Sequence, residues 1–116
     1  MMNLSHQNEN DICTINIDGA VVLDYSSTVR NYVNELLNAQ IPRALILNFN
    51  KTTNIDSVGI GMVISLLKTL KRQNCTLIIC QMNPKVDKII KMLGLHKVID
   101  VFETEAAAIA AVDETY

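Results

Sequence analysis

The sequence has few aromatic residues, few cysteines and no long apolar run. Aromatics make up 4% of 116 residues, with no Trp, so stacking platforms for single-stranded nucleic acid are not expected. Cys13, Cys75 and Cys80 form no C-x-x-C pair and have no histidine pair nearby, which argues against a disulfide framework and a metal site. No apolar run approaches the roughly 18 residues of a membrane-spanning helix, and the polar N-terminus lacks signal-peptide features. These absences predict a cytoplasmic protein without membrane insertion.

The net charge is small, but the charges are unevenly distributed. A formal net charge of -2 and a pI of about 5.6 give no overall field that would draw the chain onto nucleic acid or an anionic membrane. Seven of the ten basic residues lie within residues 68–97, whereas residues 100–116 contain five acids and no base. This pattern favours solvated helix faces over a binding patch.

Length and composition predict one compact domain. A chain of 116 residues that is 49% hydrophobic and 19% charged can bury a core built from Ile, Leu, Val, Met and Ala. No repeat or linker divides it, so we expect a single domain over residues 1–116, with its core at about residues 4–113. Short apolar strands at residues 43–49, 75–81 and 98–102 alternate with segments of helical spacing, which predicts the α/β class.

Four helices are predicted from apolar periodicity and capping residues. The first begins at Ser26 or Ser27 and ends at Ala39, with residues 24–27 as capping groups. The second covers residues 57–72, the third begins at Pro84 and ends at Gly94, and the fourth covers residues 104–113 with Thr104 as its cap. The expected buried residues, in helix order, are Val29, Val33, Leu36 and Leu37; Val63, Leu66, Leu67 and Leu70; Val86, Ile89, Ile90 and Leu93; and Ile109 and Val112.

The start of the chain has two interpretations. Asp18-Gly19, between Ile12–Ile17 and the following AVVL, is typical of a two-residue hairpin turn. Alternatively, the first strand lies at Leu4–Asn8, the chain turns at residues 8–11, and Ile12–Ile17 is the second strand. The residues alone leave both interpretations open.

Residues 54–62 (NIDSVGIGM) carry the most informative pattern. A nucleophile elbow needs Gly two residues before its serine, where this chain has Ile55. The Gly-Lys-Ser/Thr of a phosphate loop is absent, and a dinucleotide fingerprint would need Gly or Ala at Ile64. His6 and His96 are not placed to form a Ser-His-Asp set with Ser57. No catalytic residue is therefore predicted.

Ser57 begins the predicted second helix, and its simplest role is structural. Serine is a preferred N-cap residue, and Asp56 is an alternative cap that complements the positive end of the helix dipole. An N-cap role for Ser57 would not by itself require glycines or exposed apolar residues at positions 58–62.

The neighbours of Ser57 favour a second role. The helical wheel places Val58 and Met62 beside Ser65 on the polar half, which predicts exposed apolar side chains. Gly59 and Gly61 each cost the helix about 1 kcal/mol relative to Ala, which suggests that close backbone approach or a strained helix entry is needed there, and glycines at these positions would also admit a partner. A small apolar rim beside an exposed hydroxyl is typical of a switchable protein contact.

The same residues resemble a known family. The run 56–61 (DSVGIG), preceded by AxILNFNKTTNI and followed by KxLKRxxCTLIIC, is similar to the STAS domain of bacterial anti-sigma factor antagonists. Residues 84–109 resemble that family's third helix, Gly-Leu turn, last strand and final helix, and Gly19 matches its early glycine. The resemblance covers about residues 12–112. It implies a mixed, mostly parallel sheet with four helices and a first strand near Leu4–Asn8.

The resemblance also implies a function. In such proteins the serine after the motif aspartate, here Ser57, is phosphorylated by a partner that is both serine kinase and anti-sigma factor, and a metal-dependent serine phosphatase reverses the modification. The unphosphorylated domain binds the kinase and frees the sigma factor, without a cofactor or catalysis of its own. The expected partner-binding residues are Asp56, Ser57, Val58, Gly59, Gly61, Met62 and Ser65.

Two positions depart from the family pattern. Val22 stands where an acid is common, which leaves Asp24 as the candidate neighbour of the phosphosite. Val58 stands where Ser or Thr is common and excludes a second phosphosite there. The alternatives to a phosphoserine switch are an unmodified STAS scaffold subunit, of a stress-signalling assembly or lipid-transport ABC complex, and a small serine-dependent enzyme, for which no base is placed to activate Ser57.

Overall fold

A computed structural model describes residues 1–115, so Tyr116, the last residue of the predicted domain, lies outside the described residues. The described part contains six strands, four α-helices and one short 3-10 turn. In chain order these are β1 Asn3–Glu9, β2 Ile12–Val21, α1 Asp24–Ala39, β3 Ala44–Asn48, β4 Thr52–Ile55, α2 Ser57–Arg72, β5 Thr76–Cys80, α3 Pro84–Met92, the 3-10 turn Leu95–Lys97, β6 Asp100–Phe102 and α4 Glu105–Thr115.

The strands form one mixed sheet in the order β1-β2-β3-β5-β6, and β4 pairs with the C-terminal part of β2. Only the β1–β2 pair is antiparallel; the other strand pairs are parallel. All five residues of β3 are buried, as expected for a parallel strand covered on both faces. The predicted α/β fold, a mostly parallel mixed sheet with four helices, is confirmed.

The first two strands form a hairpin that turns at Asn10 and Asp11. Both residues have positive φ, 53° and 62°, as the central positions of a tight hairpin turn require. Asp18-Gly19 is not a turn, because β2 continues through it to Val21, with Asp18 opposite Asn3. The interpretation with β1 near Leu4–Asn8 is therefore the right one.

Alternate residues of the strands face two separate cores, as the period of two in a strand requires. Ile15, Ile17, Leu45 and Leu47 pack with helices α1, α2 and α3. On the other face, Ile46 and Ile78 pack with α4. Helices α1 and α2 thus lie side by side on one face and contact each other.

Several predicted details are wrong at element ends. Helix α1 begins at Asp24, and no side chain caps it. The predicted core residue Leu93 is 58% exposed, because α3 ends at Met92 and the chain turns at Gly94 (φ 72°), so that Leu95 becomes buried instead. Residues 98 and 99 precede β6 rather than opening it.

Strand β4 is the one strand that the apolar pattern misses. Thr52 and Thr53 are the first two residues of this strand. The Thr52 side chain is buried and its hydroxyl donates to the Ile17 carbonyl at 2.9 Å. Pairing with β2 therefore stabilises a strand in which only the terminal Ile55 is strongly apolar.

Candidate functional site

The N-termini of α1 and α2 meet at one edge of the sheet. Strands β2 and β4 are parallel neighbours with Val21 opposite Ile55, and each leads into a helix within a few residues. The Asp56 amide donates to the Val21 carbonyl at 3.4 Å, which holds the two strand ends together. The start of α2 therefore lies beside the loop that enters α1.

Asp56 is the residue that joins these two helix starts. Its Oδ1 accepts the Gly59 amide at 2.9 Å, and its backbone carbonyl accepts the Ile60 amide at 2.9 Å. Its Oδ2 accepts the Leu23 amide at 3.1 Å. Asp56, not Ser57, is therefore the N-cap of α2, and the cap role does not explain Ser57.

Ser57 is the first residue of α2, and its side chain is exposed. Within residues 1–115 its hydroxyl has no hydrogen-bond partner. The amides of Ser57 and Val58 precede the first intrahelical hydrogen bond, and the helix dipole adds partial positive charge there. An anionic group on Ser57 would thus face free amides and the positive end of the dipole.

An apolar rim lies beside Ser57, but its composition differs from the prediction. Val58 is 47% exposed, which confirms the exposure expected from the helical wheel. Leu23 and Tyr25, which sequence reasoning missed, are 66% and 42% exposed. Leu23 is linked to the site by the bond from its amide to Asp56, which spans 33 residues of sequence, and no local pattern signals such a contact; Tyr25 follows Leu23 in the first turn of α1.

The prediction that Met62 is exposed is wrong. Met62 is only 4% exposed and belongs to the core cluster, so it is not available to a partner. Met62 lies one turn before the buried Leu66, only about 40° away on the wheel, so it belongs to the border of the buried face of α2 rather than to the polar half. At the opposite border of that face, the predicted core residue Leu67 is only partly buried.

Gly59 makes the close backbone approach that glycine at this position suggested, and the approach is to the protein's own sheet. It is buried, and a Cβ there would collide with the Val21 carbonyl oxygen and lie 2.8 Å from Cγ1 of Ile55. Glycine therefore lets α2 start directly against β2 and β4. A Cβ at Gly61, by contrast, would meet nothing within 4 Å, so Gly61 leaves room on the surface.

The remaining predicted residues lie around this helix start. Ser65 is half-buried on α2. Asp24 is exposed and is the first residue of α1. It directly follows Leu23, whose amide binds Asp56, so it belongs to the same junction.

The histidines and cysteines of residues 1–115 lie outside the start of α2. No group of three His, Cys, Asp or Glu residues within residues 1–115 could hold a metal ion. Nδ1 of His6 lies 2.6 Å from the Tyr32 hydroxyl, and His96 lies in the 3-10 turn. Burial raises the pKa values of the Cys75 and Cys80 thiols to about 12, so both stay protonated near neutral pH and are poor nucleophiles.

Across the same residues, none of the helices combines the length and apolar character needed to cross a bilayer.

Known proteins resemble this chain over nearly its whole length. The profile of the STAS domain matches residues 3–108. An anti-sigma F factor antagonist of Paenibacillus polymyxa is 22% identical over 114 residues, which cover 97% of each chain. The anti-sigma factor antagonist SpoIIAA in its unphosphorylated form matches with a TM-score of 0.81 at 21% identity, covering 100% of this chain and 99% of that one. The phosphorylated form of SpoIIAA from Bacillus matches with a TM-score of 0.72 at 20% identity, covering 97% and 99%. With the profile covering most of its residues, the chain belongs to the STAS domain family.

Proposed function

We propose that this protein is a cytoplasmic anti-sigma factor antagonist whose binding to an anti-sigma factor is switched by phosphorylation of Ser57. The observation that carries the proposal is the exposed hydroxyl of Ser57 at the first position of α2. This hydroxyl makes no hydrogen bond within residues 1–115, and the exposed side chain of Val58 follows it directly. The antagonist names of the relatives in the same family support it.

A phosphate on Ser57 acts through its charge. It adds about -1.5 to -2 at neutral pH. The free amides at the start of α2 and the helix dipole accommodate this charge, so the domain keeps its fold.

The charge of the phosphate makes binding to the partner less favourable. In the complex a dianion beside Asp56 must be buried against an apolar surface. Repulsion and desolvation of about 2–5 kcal/mol weaken binding by about 30-fold to several thousand-fold. Such a change switches binding without a large conformational change.

In this proposal the chain is a substrate and a binding partner, not an enzyme. The anti-sigma factor is the serine kinase that modifies Ser57, and a metal-dependent serine phosphatase restores the hydroxyl. When Ser57 is unmodified, the domain occupies the kinase and frees the sigma factor.

Mapping the phosphate tests the proposal. Wild-type protein and Ser57→Ala are each immobilised, native lysate is passed over them, and the serine kinase that they retain is purified. Each variant is then incubated with this kinase and ATP. Mass spectrometry should find one phosphate on the wild type and none on Ser57→Ala. A phosphate on Thr53 or Ser65, or the absence of any phosphorylation in lysate and in cells, would contradict the assignment. The buried Thr52 hydroxyl serves as an internal negative control.

A further inference from the structure

Strand β1 forms a long open edge of the sheet. It is the first strand in the order β1-β2-β3-β5-β6, and within residues 1–115 it pairs only with β2. Its pairing runs from Asn3, opposite Asp18, to Glu9, opposite Ile12, without a register shift. The strand at the other end of this order, β6, has only three residues. The seven residues of β1 therefore leave one side of their backbone unpaired.

Every second residue of β1 directs its backbone N–H and C=O groups outward. The two-residue turn makes Glu9 and Ile12, which flank it, a hydrogen-bonded pair. Such pairs alternate with non-hydrogen-bonded pairs along an antiparallel ladder. The residues whose backbone groups point away from β2 are therefore Leu4, His6 and Asn8. Natural proteins usually protect such an edge with Lys, Pro or a bulge, and β1 contains none of these.

Apolar side chains lie beside this edge. Leu4 on β1 and Tyr32 and Leu36 on α1 are only half-buried, and they pack against the core shared with α1, α2 and α3. Nδ1 of His6 lies 2.6 Å from the Tyr32 hydroxyl, and His6 and Leu36 line one surface cavity, so this side of α1 lies next to β1. Glu35, the charged residue between Tyr32 and Leu36, is exposed, so its carboxylate can stay in water. A single added strand would satisfy only the backbone groups, whereas a second copy also brings its own α1 to these side chains.

Strand β1 is self-complementary in the register that pairs its whole length. Outward-facing residues lie opposite each other in an antiparallel pair, so this register places His6 on a two-fold axis. The acidic residues of the β1–β2 hairpin are Glu9, Asp11 and Asp18. Glu9 then lies opposite Asn3, and Asp11 is in the turn. Asp18 and Glu9 of the second copy are two strand spacings apart, about 10 Å, which is close to the Debye length at physiological salt.

We propose that two copies of this chain associate through β1, which pairs with its own copy in antiparallel fashion about a two-fold axis at His6 and extends the sheet across both copies. The outward backbone groups of Leu4, His6 and Asn8 are then paired in each copy. The two α1 helices lie on the same face of the joined sheet, where the sides that carry Tyr32 and Leu36 approach each other. A contact made by one strand edge and part of a helix is small, so we expect a weak dimer with a dissociation constant of about 10–100 µM.

This dimer does not depend on the proposed function. Because the two copies of β1 are antiparallel, the parallel strands of the two copies run in opposite directions. The two starts of α2 then lie at opposite ends of the joined sheet, and Ser57 stays exposed in each copy. Ser57→Asp should therefore dimerise like the wild type, and loss of the dimer in this variant would contradict the geometry.

Disulfide trapping tests the register. The Cα atoms of a hydrogen-bonded antiparallel pair are about 5.5 Å apart, within the span of a disulfide, so His6→Cys should cross-link to its own copy under mild oxidation. Asn8→Cys is the matched control, because the residue opposite Asn8 is Leu4, four residues or about 13 Å along the strand from the second Asn8. The native cysteines are all buried. His6→Cys should form the covalent dimer at least about tenfold faster than Asn8→Cys, and equal rates would overturn the proposal.

Sedimentation velocity tests whether the dimer forms without a cross-link. The mean mass of the wild type should rise with concentration from 12.9 kDa towards twice that value. Asn8→Pro removes an outward N–H but keeps the pairing with β2, so it should weaken the dimer about tenfold. The proposal is wrong if Asn8→Pro dimerises like the wild type, or if the wild type stays monomeric at about 500 µM, which would leave β1 to a strand of another protein. If circular dichroism shows that Asn8→Pro is unfolded, the cross-linking rates and the mass of the wild type decide.

Discussion

Replacing Gly59 by alanine places a methyl group against the backbone of a neighbouring strand. The new Cβ would collide with the Val21 carbonyl oxygen and approach Cγ1 of Ile55 to 2.8 Å. A carbonyl in a strand cannot rotate away as a flexible side chain can, so the start of α2 must shift from the sheet. That shift also strains the bond from the Asp56 amide to Val21.

Gly61→Ala is the matched comparison, because its Cβ enters open space in the same helix. Alanine favours the helix by about 1 kcal/mol over glycine, so Gly61→Ala should be more stable than wild type by about 0.5–1 kcal/mol. At Gly59 the same gain is offset by an overpacking cost of about 1–3 kcal/mol or more. Because backbone must move, we expect a net loss of about 2 kcal/mol.

Urea denaturation followed by circular dichroism measures both variants. Their unfolding free energies should differ by about 3 kcal/mol, which shifts the midpoint by about 1.5 M if the slope is about 2 kcal/mol per molar urea. If Gly59→Ala is as stable as the wild type, the close packing of α2 on β2 and β4 does not constrain this position.

Three other perturbations follow from the burial and capping of this region. Met62→Lys should destabilise the protein by several kcal/mol because it buries an unpaired ammonium, whereas Val58→Lys should change thermal stability by about 0.5 kcal/mol or less. Ser57→Ala should also change stability by only about 0.5 kcal/mol, while Asp56→Ala should cost about 0.5–2 kcal/mol because the cap is lost; urea midpoints compare the two. Because burial raises the folded-state pKa of Cys80 from 9.0 to about 12, its thiol ionises first in the unfolded chain. Stability should therefore fall as pH rises from 9 to 12, and Cys80→Ala should reduce the slope by up to about 1.4 kcal/mol per pH unit.

The α/β class, the helices and the position of Ser57 were accessible from the residues because their signals are local, whereas the mixed, mostly parallel sheet and the place of the first strand were implied by the resemblance to the STAS domain. Apolar strands and helix-period segments alternate, and capping residues mark the helix starts near residues 57, 84 and 104. The Thr104 hydroxyl does accept the Ala107 amide at 3.0 Å. Strand β4 gave no such signal, because Thr52–Ile55 is short and mostly polar. This segment is a strand because it pairs with β2.

The composition of the candidate site depended on contacts that a single helical wheel does not contain. Met62 is the exception, because its position one turn before the buried Leu66 could have been read from the wheel. Leu23 joins the site through a bond to Asp56 from a distant part of the chain. The role of Gly59 likewise depends on how closely α2 approaches Val21. For Leu23 and Gly59 the missing information was the packing between elements.

The dissociation constants of phosphorylated and unphosphorylated protein for the purified kinase measure directly whether charge on Ser57 controls partner binding. Both forms are prepared from the same wild-type chain, with occupancy of Ser57 verified by mass spectrometry, and titrated calorimetrically. The proposed switch predicts that phosphorylation weakens binding by at least about 30-fold. Equal dissociation constants for fully phosphorylated and unmodified protein would contradict it.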